Sequence, residues 1–313
     1  MDADGNPLVN ESVTFSIRGS NYTRYTNENG TAFLAINQNS GSYTITTAYN
    51  GTAISNSVVI LSTVEGKDVV KYYRNATQYE AFVVDSDGNP LVKQNLTFNI
   101  NGVFYTRTSN ENGLVKLNIN LNPGEYILTL MNDATGERSS NNITVLSKLV
   151  DNSDLVKYYR NASKYSVKVL DDIGNPLTGV NVTFNINGVF YQRTTDSNGT
   201  ASLNINLNPG DYIITAEYDG LRVSNNITVK PILLADDMVM NYNDGSAFSV
   251  KVLDDVGNPL ANAKVTFNIN GVLYDRYSDS AGLTKLNINL MKGEYIITSS
   301  YNGLDISNKI TIN

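Results

Sequence analysis

Asn95-Leu-Thr-Phe-Asn-Ile-Asn-Gly-Val-Phe-Tyr105 is the stretch on which the reading of the fold turns. Leu96, Phe98 and Ile100 fall on one side of an extended chain, and Asn95, Thr97 and Asn99 on the other. That period of two is a strand with one buried face. Asn101-Gly102 follows, the pair preferred in a two-residue type I′ hairpin because both positions need positive φ. Val103–Thr108 is then the return strand.

Working outward, Val69–Arg74 and Tyr79–Val84 are β-branched, apolar or aromatic and read as two earlier strands. Asp85-Ser-Asp-Gly-Asn-Pro90 is a turn, with Gly88 permissive and Pro90 fixing its own φ. Downstream, Ser109–Gly113 turns the chain, and Leu117, Ile119 and Leu121 alternate with Asn118 and Asn120 as a half-buried strand. Asn122-Pro-Gly124 turns it again into Glu125–Leu130. Asp133–Gly136 is a loop, and Asn142–Leu146 the last strand. Seven short strands in about 80 residues, without helical periodicity, predict an all-β antiparallel sandwich of immunoglobulin type.

The unit recurs. Gly-Asn-Pro-Leu stands at Gly5–Leu8, Gly88–Leu91, Gly174–Leu177 and Gly257–Leu260, at spacings of 83, 86 and 83 residues. A fixed period of that size marks a domain array. We expect four repeats, at residues 1–62, 63–147, 148–230 and 231–313. The buried row recurs as Val13-Phe15-Ile17, Val182-Phe184-Ile186 and Val265-Phe267-Ile269, and the later row as Leu203-Ile205-Leu207 and Leu286-Ile288-Leu290. Repeat 1 starts at its turn without the two strands equivalent to Val69–Val84. Five strands, an open edge and a partly uncovered core are expected there. Three readings fit: the boundary of an excised fragment, strand-exchange self-association through repeat 1, or domains cut so that each Val-Lys-Tyr-Tyr strand belongs to the repeat before it.

Tyr126, Tyr212 and Tyr295 each stand two residues after a turn glycine, and Tyr43 follows Gly41 likewise. This is the placement of a tyrosine corner, whose hydroxyl bonds back to upstream backbone. We read these tyrosines as structural.

Composition removes whole classes of chemistry. The 313 residues contain no cysteine and no histidine. Disulfides, thiolate nucleophiles and histidine acid–base catalysis are excluded. Net charge is −7, which argues against nucleic acid and anionic membranes as partners. No apolar run reaches the roughly 18 residues of a membrane span. Met1-Asp2-Ala3-Asp4-Gly5 does not start a signal peptide, and a Met placed directly on a repeat motif reads as a fragment of a longer protein.

Val70-Lys-Tyr-Tyr-Arg-Asn-Ala-Thr77, the Gly-Asn-Pro-Leu turn, Thr97–Tyr105 and Leu117–Ile127 closely resemble the immunoglobulin-like repeats of adhesin-like surface proteins from methanogenic archaea. The resemblance spans the chain, densest in repeats 2 and 3; in repeat 4, Met240-Asn-Tyr-Asn243 replaces Lys157-Tyr-Tyr-Arg160. More distantly, the turns resemble those of bacterial immunoglobulin-like and invasin-type stalk domains. The resemblance implies an extracellular, cell-anchored, multi-domain protein with a role in attachment, and brings no catalytic residues with it.

Candidate sites are few. Sequons begin at Asn10, Asn21, Asn29, Asn50, Asn75, Asn95, Asn142, Asn161, Asn181, Asn198 and Asn226, and an Asn- and Thr-rich strand face also produces them by chance. Asp2-x-Asp4-Gly and Asp85-x-Asp87-Gly have calcium-loop spacing, but Ile173 and Val256 break the pattern in repeats 3 and 4. Asp68, Asp154 and Asp237 recur at the joints, where shared calcium is weighed against ordinary linker charge. A Lys–Asn cross-link between Lys71 or Lys157 and Asn142 or Asn226 would need a buried acid; Glu125 and Asp211 are nearest, and Met240 removes the lysine from repeat 4. Asn99, Asn101, Asn118 and Asn120, with Asn185, Asn187, Asn204 and Asn206, read as polar rows that could meet sugars beside Tyr105 and Tyr191; a solvated face is the plain alternative.

No constellation of base, nucleophile and oxyanion donors stands out. We expect no enzyme and no cofactor. The leading expectation is a surface stalk or adhesin segment that meets a protein or glycan of another cell. The joints Ser62–Asp68, Ser147–Asp154 and Pro231–Asp237 are short and poor in Gly and Ser, which favours a semi-rigid, extended array. The alternatives are a carbohydrate- or protein-binding repeat module, a spacer in a secreted enzyme, and a subunit of a donor-strand-assembled filament.

Overall fold

In the computed structural model, which describes residues 1–313, Asn101 and Gly102 both take positive φ, 53° and 77°. They close a hairpin in register Phe98↔Tyr105, the geometry that a type I′ pair imposes. The chain forms two compact units, Met1–Leu146 and Ser147–Asn313.

The first unit opens with β1 (Ser12–Ile17), β2 (Ser20–Tyr25), β3 (Gly41–Tyr49) and β4 (Thr52–Ile60), a single sheet of order β2-β1-β3-β4. Repeat 2 follows with β5 (Val64–Gly66), β6 (Val69–Tyr72), β7 (Gln78–Val83), β8 (Asn95–Ile100), β9 (Val103–Thr108), β10 (Leu114–Asn118), β11 (Gly124–Asn132) and β12 (Arg138–Leu146). A three-stranded sheet, β10-β7-β5, faces a five-stranded sheet, β6-β12-β11-β8-β9. Repeat 2 thus has eight strands, not seven, because its first strand is split. β5 runs antiparallel to β7, and β6 runs parallel to β12. In the second unit the same eight-strand plan recurs twice, as eight strands over Leu149–Lys230 (β13–β20) and eight over Leu233–Ile312 (β21–β28).

Alternation explains the core. Leu96, Phe98 and Ile100 are buried from one sheet against Tyr79, Ala81, Val83, Val115 and Leu117 of the other. Tyr79 meets Phe98 edge to face at 6.0 Å, as Tyr165 meets Phe184 at 5.9 Å and Phe248 meets Phe267 at 6.2 Å. Each buried ring is worth about 1.5–3 kcal/mol in transfer free energy. In repeat 4, Thr284 Oγ1, Ser299 Oγ and Asn308 Oδ1 are buried without partners, as is Asn132 Nδ2 in repeat 2.

Two expectations need correction. The strand read through Leu121 stops at Asn118, where its partner β7 begins at Gln78 and offers no further backbone to pair with. Repeat 1 holds four strands rather than five: residues 31–40, counterparts of β10, form none. Their partner in repeat 2 is β7, whose equivalent repeat 1 lacks, and an unpaired backbone has no ladder to join.

The Gly-Asn-Pro-Leu turns are built around one aspartate each. Asp85 Oδ1 accepts the N–H groups of Asp87 (2.9 Å) and Asn89 (2.8 Å), an Asx turn. The carboxyls of Asp85 and Asp171 are held below their ordinary value chiefly by the N–H of Asn89 and Asn175, and that of Asp2 chiefly by the side-chain amide of Asn6. For Asp254, desolvation pushes upward but the bonds from Asn258, Val256 and Gly257 outweigh it. A carboxylate lowered on folding contributes stability above its unfolded value, 3.8, and loses it as pH falls through the folded value. With no histidine in the chain, calorimetry should give a melting temperature flat from about pH 5.5 to 8.5 and falling only below about pH 4. A steep change near neutrality would contradict this.

Candidate inter-repeat joints and exposed faces

Within the second unit, β14 (Leu155–Tyr158) ends in the stretch Tyr158-Tyr-Arg-Asn161, and Arg160 takes φ 60°. The chain thereby leaves the sheet and turns three side chains onto repeat 4. Tyr159 donates its hydroxyl to the carbonyl of Gly303 at 3.2 Å. Arg160 Nη1 donates to Asn302 Oδ1 at 2.8 Å, and Asn161 Nδ2 to the carbonyl of Asp255 at 2.8 Å. The guanidinium of Arg160 also sits 5.5 Å from the Tyr159 ring centroid, within cation–π range. The acceptors lie in two turns of repeat 4. One is the hairpin Asn302-Gly303 between β27 (Gly293–Tyr301) and β28 (Leu304–Ile312). The other is the turn that contains Gly257, packed so closely on Tyr158 that a Cβ would lie 2.4 Å from the ring. Sequence reading took Val-Lys-Tyr-Tyr-Arg as one strand; the structure divides it into a strand and a clamp.

In the first unit the joint is a carboxylate clasp. Glu137 Oε1 accepts from Ser62 Oγ at 2.7 Å, and Oε2 accepts from Thr63 N at 3.0 Å and from the Thr63 hydroxyl. The Ser40 side chain of repeat 1 also helps to lower this carboxyl. Burial pushes the Glu137 carboxyl up, but these donors hold it below the usual range. Sequence reading missed Glu137; the lengthened loop Asn132–Glu137, where the other repeats carry a two-residue turn, was the available signal.

The joint aspartates Asp68, Asp154 and Asp237 act as latches. Asp68 accepts the N–H and side-chain amide of Asn142 at 2.8 and 3.2 Å, Asp154 those of Asn226 at the same distances, and Asp237 the N–H of Lys309 at 2.9 Å. They fasten the split first strand to the last one. Nowhere do three or more acidic side chains gather as a metal cluster. The hydroxyls of Tyr43, Tyr126, Tyr212 and Tyr295 donate to the carbonyls of Asn39, Asn122, Asn208 and Met291 at 2.6, 2.9, 2.8 and 2.9 Å.

Lys71 is 4% exposed, and its ammonium donates to the carbonyls of Asn75, Thr77 and Ile119 at 2.6, 2.8 and 3.0 Å. Burial draws its pKa below the ordinary lysine value. Lys157 donates to Ser163 and Ile205. Asn142 and Asn226 are exposed, on the opposite side of their sheets, and Glu125 and Asp211 are exposed too. The cross-link arrangement is therefore not formed.

The sequons differ in what their amides already do. Asn142 and Asn226 donate to Asp68 and Asp154, and Asn161 to repeat 4, so a glycan there would displace a structural bond. Asn75 Oδ1 accepts from Thr77 N, Asn95 from Thr108, and Asn181 from Thr194. Asn198 is exposed in the turn that Asp196 closes.

The asparagine rows do not form one stripe. Asn99 lies on the five-stranded sheet, Asn118 on the three-stranded one bonded to Gln78, and Asn101 in the hairpin turn. Tyr105 is half-buried beneath Arg107. The exposed aromatic beside Asn99 is instead its cross-strand partner Phe104, 68% exposed. Phe104, Asn99, Thr97, Thr129, Met131 and Arg138 line a shallow hollow. Phe190 repeats Phe104 in repeat 3 and Leu273 replaces it in repeat 4.

No protein-family model matches this chain, and no curated protein matches it. Among solved structures it is similar to the I9–I11 tandem from titin, at 17% identity over 80% of this chain and 98% of that one, with a TM-score of 0.32. It is also similar to a Ca2+-stabilised adhesin with which an Antarctic bacterium binds ice, at 18% identity over 98% and 91%, TM-score 0.22. A third is invasin, a bacterial integrin-binding protein, at 16% identity over 100% and 74%, TM-score 0.23. These are likenesses of β-sandwich chains, and no residue role is transferred from them.

Proposed function

We propose that this chain is a non-enzymatic extracellular stalk or adhesin segment of a cell-surface protein, whose repeats hold a binding region at a set distance. The observation that carries this is the clamp of Tyr159, Arg160 and Asn161 on repeat 4. A joint made of side-chain bonds and a buried ring resists bending in a way that a bare linker does not. The absence of cysteine makes a direct test simple: spin labels on cysteines placed at the exposed positions Gln192 and Ser280 of the full chain. Electron–electron resonance should give one narrow distance distribution, and Arg160→Ala with Tyr159→Ala should broaden it. A distribution already broad in the parent would remove the stalk reading.

The exposed Phe104 and Phe190 beside Asn99 and Asn185 favour a second reading, in which the outer face of the larger sheet binds sugar. A ring face with adjacent amide donors suits pyranose stacking. Labelled protein should then bind a defined class on a glycan array, and Phe104→Ser with Phe190→Ser should abolish it. Binding that survives both changes places the contact elsewhere.

A further inference from the structure

Tyr-x-Arg stands once in every repeat, as Tyr22-Thr-Arg24, Tyr105-Thr-Arg107, Tyr191-Gln-Arg193 and Tyr274-Asp-Arg276. Each copy lies on a strand that ends its sheet: β2, β9, β17 (Val189–Thr194) and β25 (Val272–Tyr277). These strands have a partner on one side alone. They are rich in aromatic and β-branched residues, they hold no Pro or Gly, and arginine is the one charge that all of them share. An edge of that composition is a ready template for pairing with another chain.

Register shows where the arginine reaches. Val103 closes the hairpin opposite Ile100, so that pair exchanges both backbone bonds, and every second residue of β9 turns its N–H and C=O to the open edge. Those residues are Phe104, Thr106 and Thr108. Arg107 Nη1 donates to the carbonyl of Thr106, the middle one, at 2.8 Å. The other hairpins keep this register, and the bond recurs in each. Arg24 donates to the Thr23 carbonyl at 2.8 Å, Arg193 to that of Gln192 at 2.7 Å, and Arg276 to that of Asp275 at 2.8 Å. The tyrosine two residues earlier is half-buried in every copy. In repeats 2, 3 and 4 the guanidinium lies 5.9, 5.8 and 6.0 Å from its ring centroid, within cation–π range. The ring props the guanidinium against the edge of its own strand.

We propose that Tyr-x-Arg is an edge guard, which keeps a second copy of this chain from pairing with β2, β9, β17 and β25. An incoming strand must place an N–H on the middle carbonyl of the edge. That oxygen already holds a charged donor, and the guanidinium occupies the approach. Pairing would strip the guanidinium from ring and carbonyl together, and a hydrogen bond from an ionised donor is about twice as strong as a neutral one. The need is greatest in an array. Val103–Thr108 and Val189–Thr194 differ only at Thr106 and Gln192, and with such edges on one molecule a first pairing raises the effective concentration for the next.

The test compares the 313-residue protein with a variant carrying Arg24→Thr, Arg107→Thr, Arg193→Thr and Arg276→Thr, and with Arg107→Thr alone. Hydrogen exchange is read over a micromolar-to-millimolar concentration series. In the fourfold variant the amides of residues 104, 106 and 108 and their counterparts should exchange at least about tenfold more slowly at the high end. Its sedimenting mass should rise with concentration. In Arg107→Thr the protection should be confined to β9, an answer that stands even if the fourfold variant fails to fold. In the parent these amides should exchange alike at every concentration, including in about 1 M salt, where charges are screened within about 3 Å. Unchanged exchange at β9 in folded Arg107→Thr overturns the guard. Concentration-dependent protection of these edges in the parent overturns it too. If that protection appears only in high salt, repulsion between like charges, and not the capped carbonyl, keeps the copies apart, and the proposal fails.

Discussion

Lys71→Met is expected to cost repeat 2 about 2–4 kcal/mol, read as faster exchange of its core amides and a lower urea midpoint for that repeat. The lysine stem crosses the sandwich wall and places the ammonium against the carbonyls of Asn75, Thr77 and Ile119. Methionine fills the volume but leaves those oxygens without the charged donor. Repeat 4 shows that methionine itself is acceptable at the site, because Met240 is buried there. Its surroundings differ: the N–H of Ile288 reaches the carbonyl of Ser246, and Asp244 binds the N–H groups of Asn241 and Ser246. There a backbone N–H serves a carbonyl that the ammonium serves in repeat 2, and the Asp244 carboxylate holds the loop by accepting N–H groups. Lys157→Met should cost less, since that ammonium binds two carbonyls, those of Ser163 and Ile205. A loss below about 0.5 kcal/mol for Lys71→Met would show that the carbonyls are satisfied by water instead.

Local signals were legible where two adjacent residues decide a conformation. Asn101-Gly102 announced its hairpin, and Leu96-Phe98-Ile100 announced which face is buried. The glycine-to-tyrosine spacing at Tyr126 located a turn whose bond spans four residues. Features decided by distant partners were not legible. Val64–Gly66 read as linker because three residues carry no period; it is a strand only because β7 lies beside it. Arg160 and Asn161 read as strand or sequon, but their partners lie 142 and 94 residues away. Phe104 looked like any return-strand residue, and its exposure follows from being on the outer face of an edge strand. The polar rows failed for a related reason: alternation says which residues share a face of one strand, but not which sheet that strand joins.

Gly66→Ala is expected to be the most damaging single-methyl change in repeat 2, at about 3 kcal/mol or more. An added Cβ would stand 1.8 Å from the Tyr79 hydroxyl and 2.8 Å from Asn141 Oδ1. Tyr79 is fully buried, and its hydroxyl donates to Asn141 Oδ1 at 2.5 Å; the same burial pushes its pKa upward. Neither group can withdraw without breaking that bond. Repeat 4 carries the complementary solution: Ala235 stands where Gly66 would be, Phe248 where Tyr79 would be, and Asn308 Oδ1 is left without a donor. The methyl and the hydroxyl compete for one space, so the two positions should couple. Tyr79→Phe added to Gly66→Ala should recover part of the loss, because the worst contact is gone. In repeat 4, Phe248→Tyr alone should destabilise, while Phe248→Tyr with Ala235→Gly should restore the bond to Asn308. Double-mutant cycles in both repeats should give coupling of about 1–3 kcal/mol. Strictly additive losses would mean that the glycine is needed for its backbone alone, and that the unpaired amide oxygen of Asn308 has some other cause.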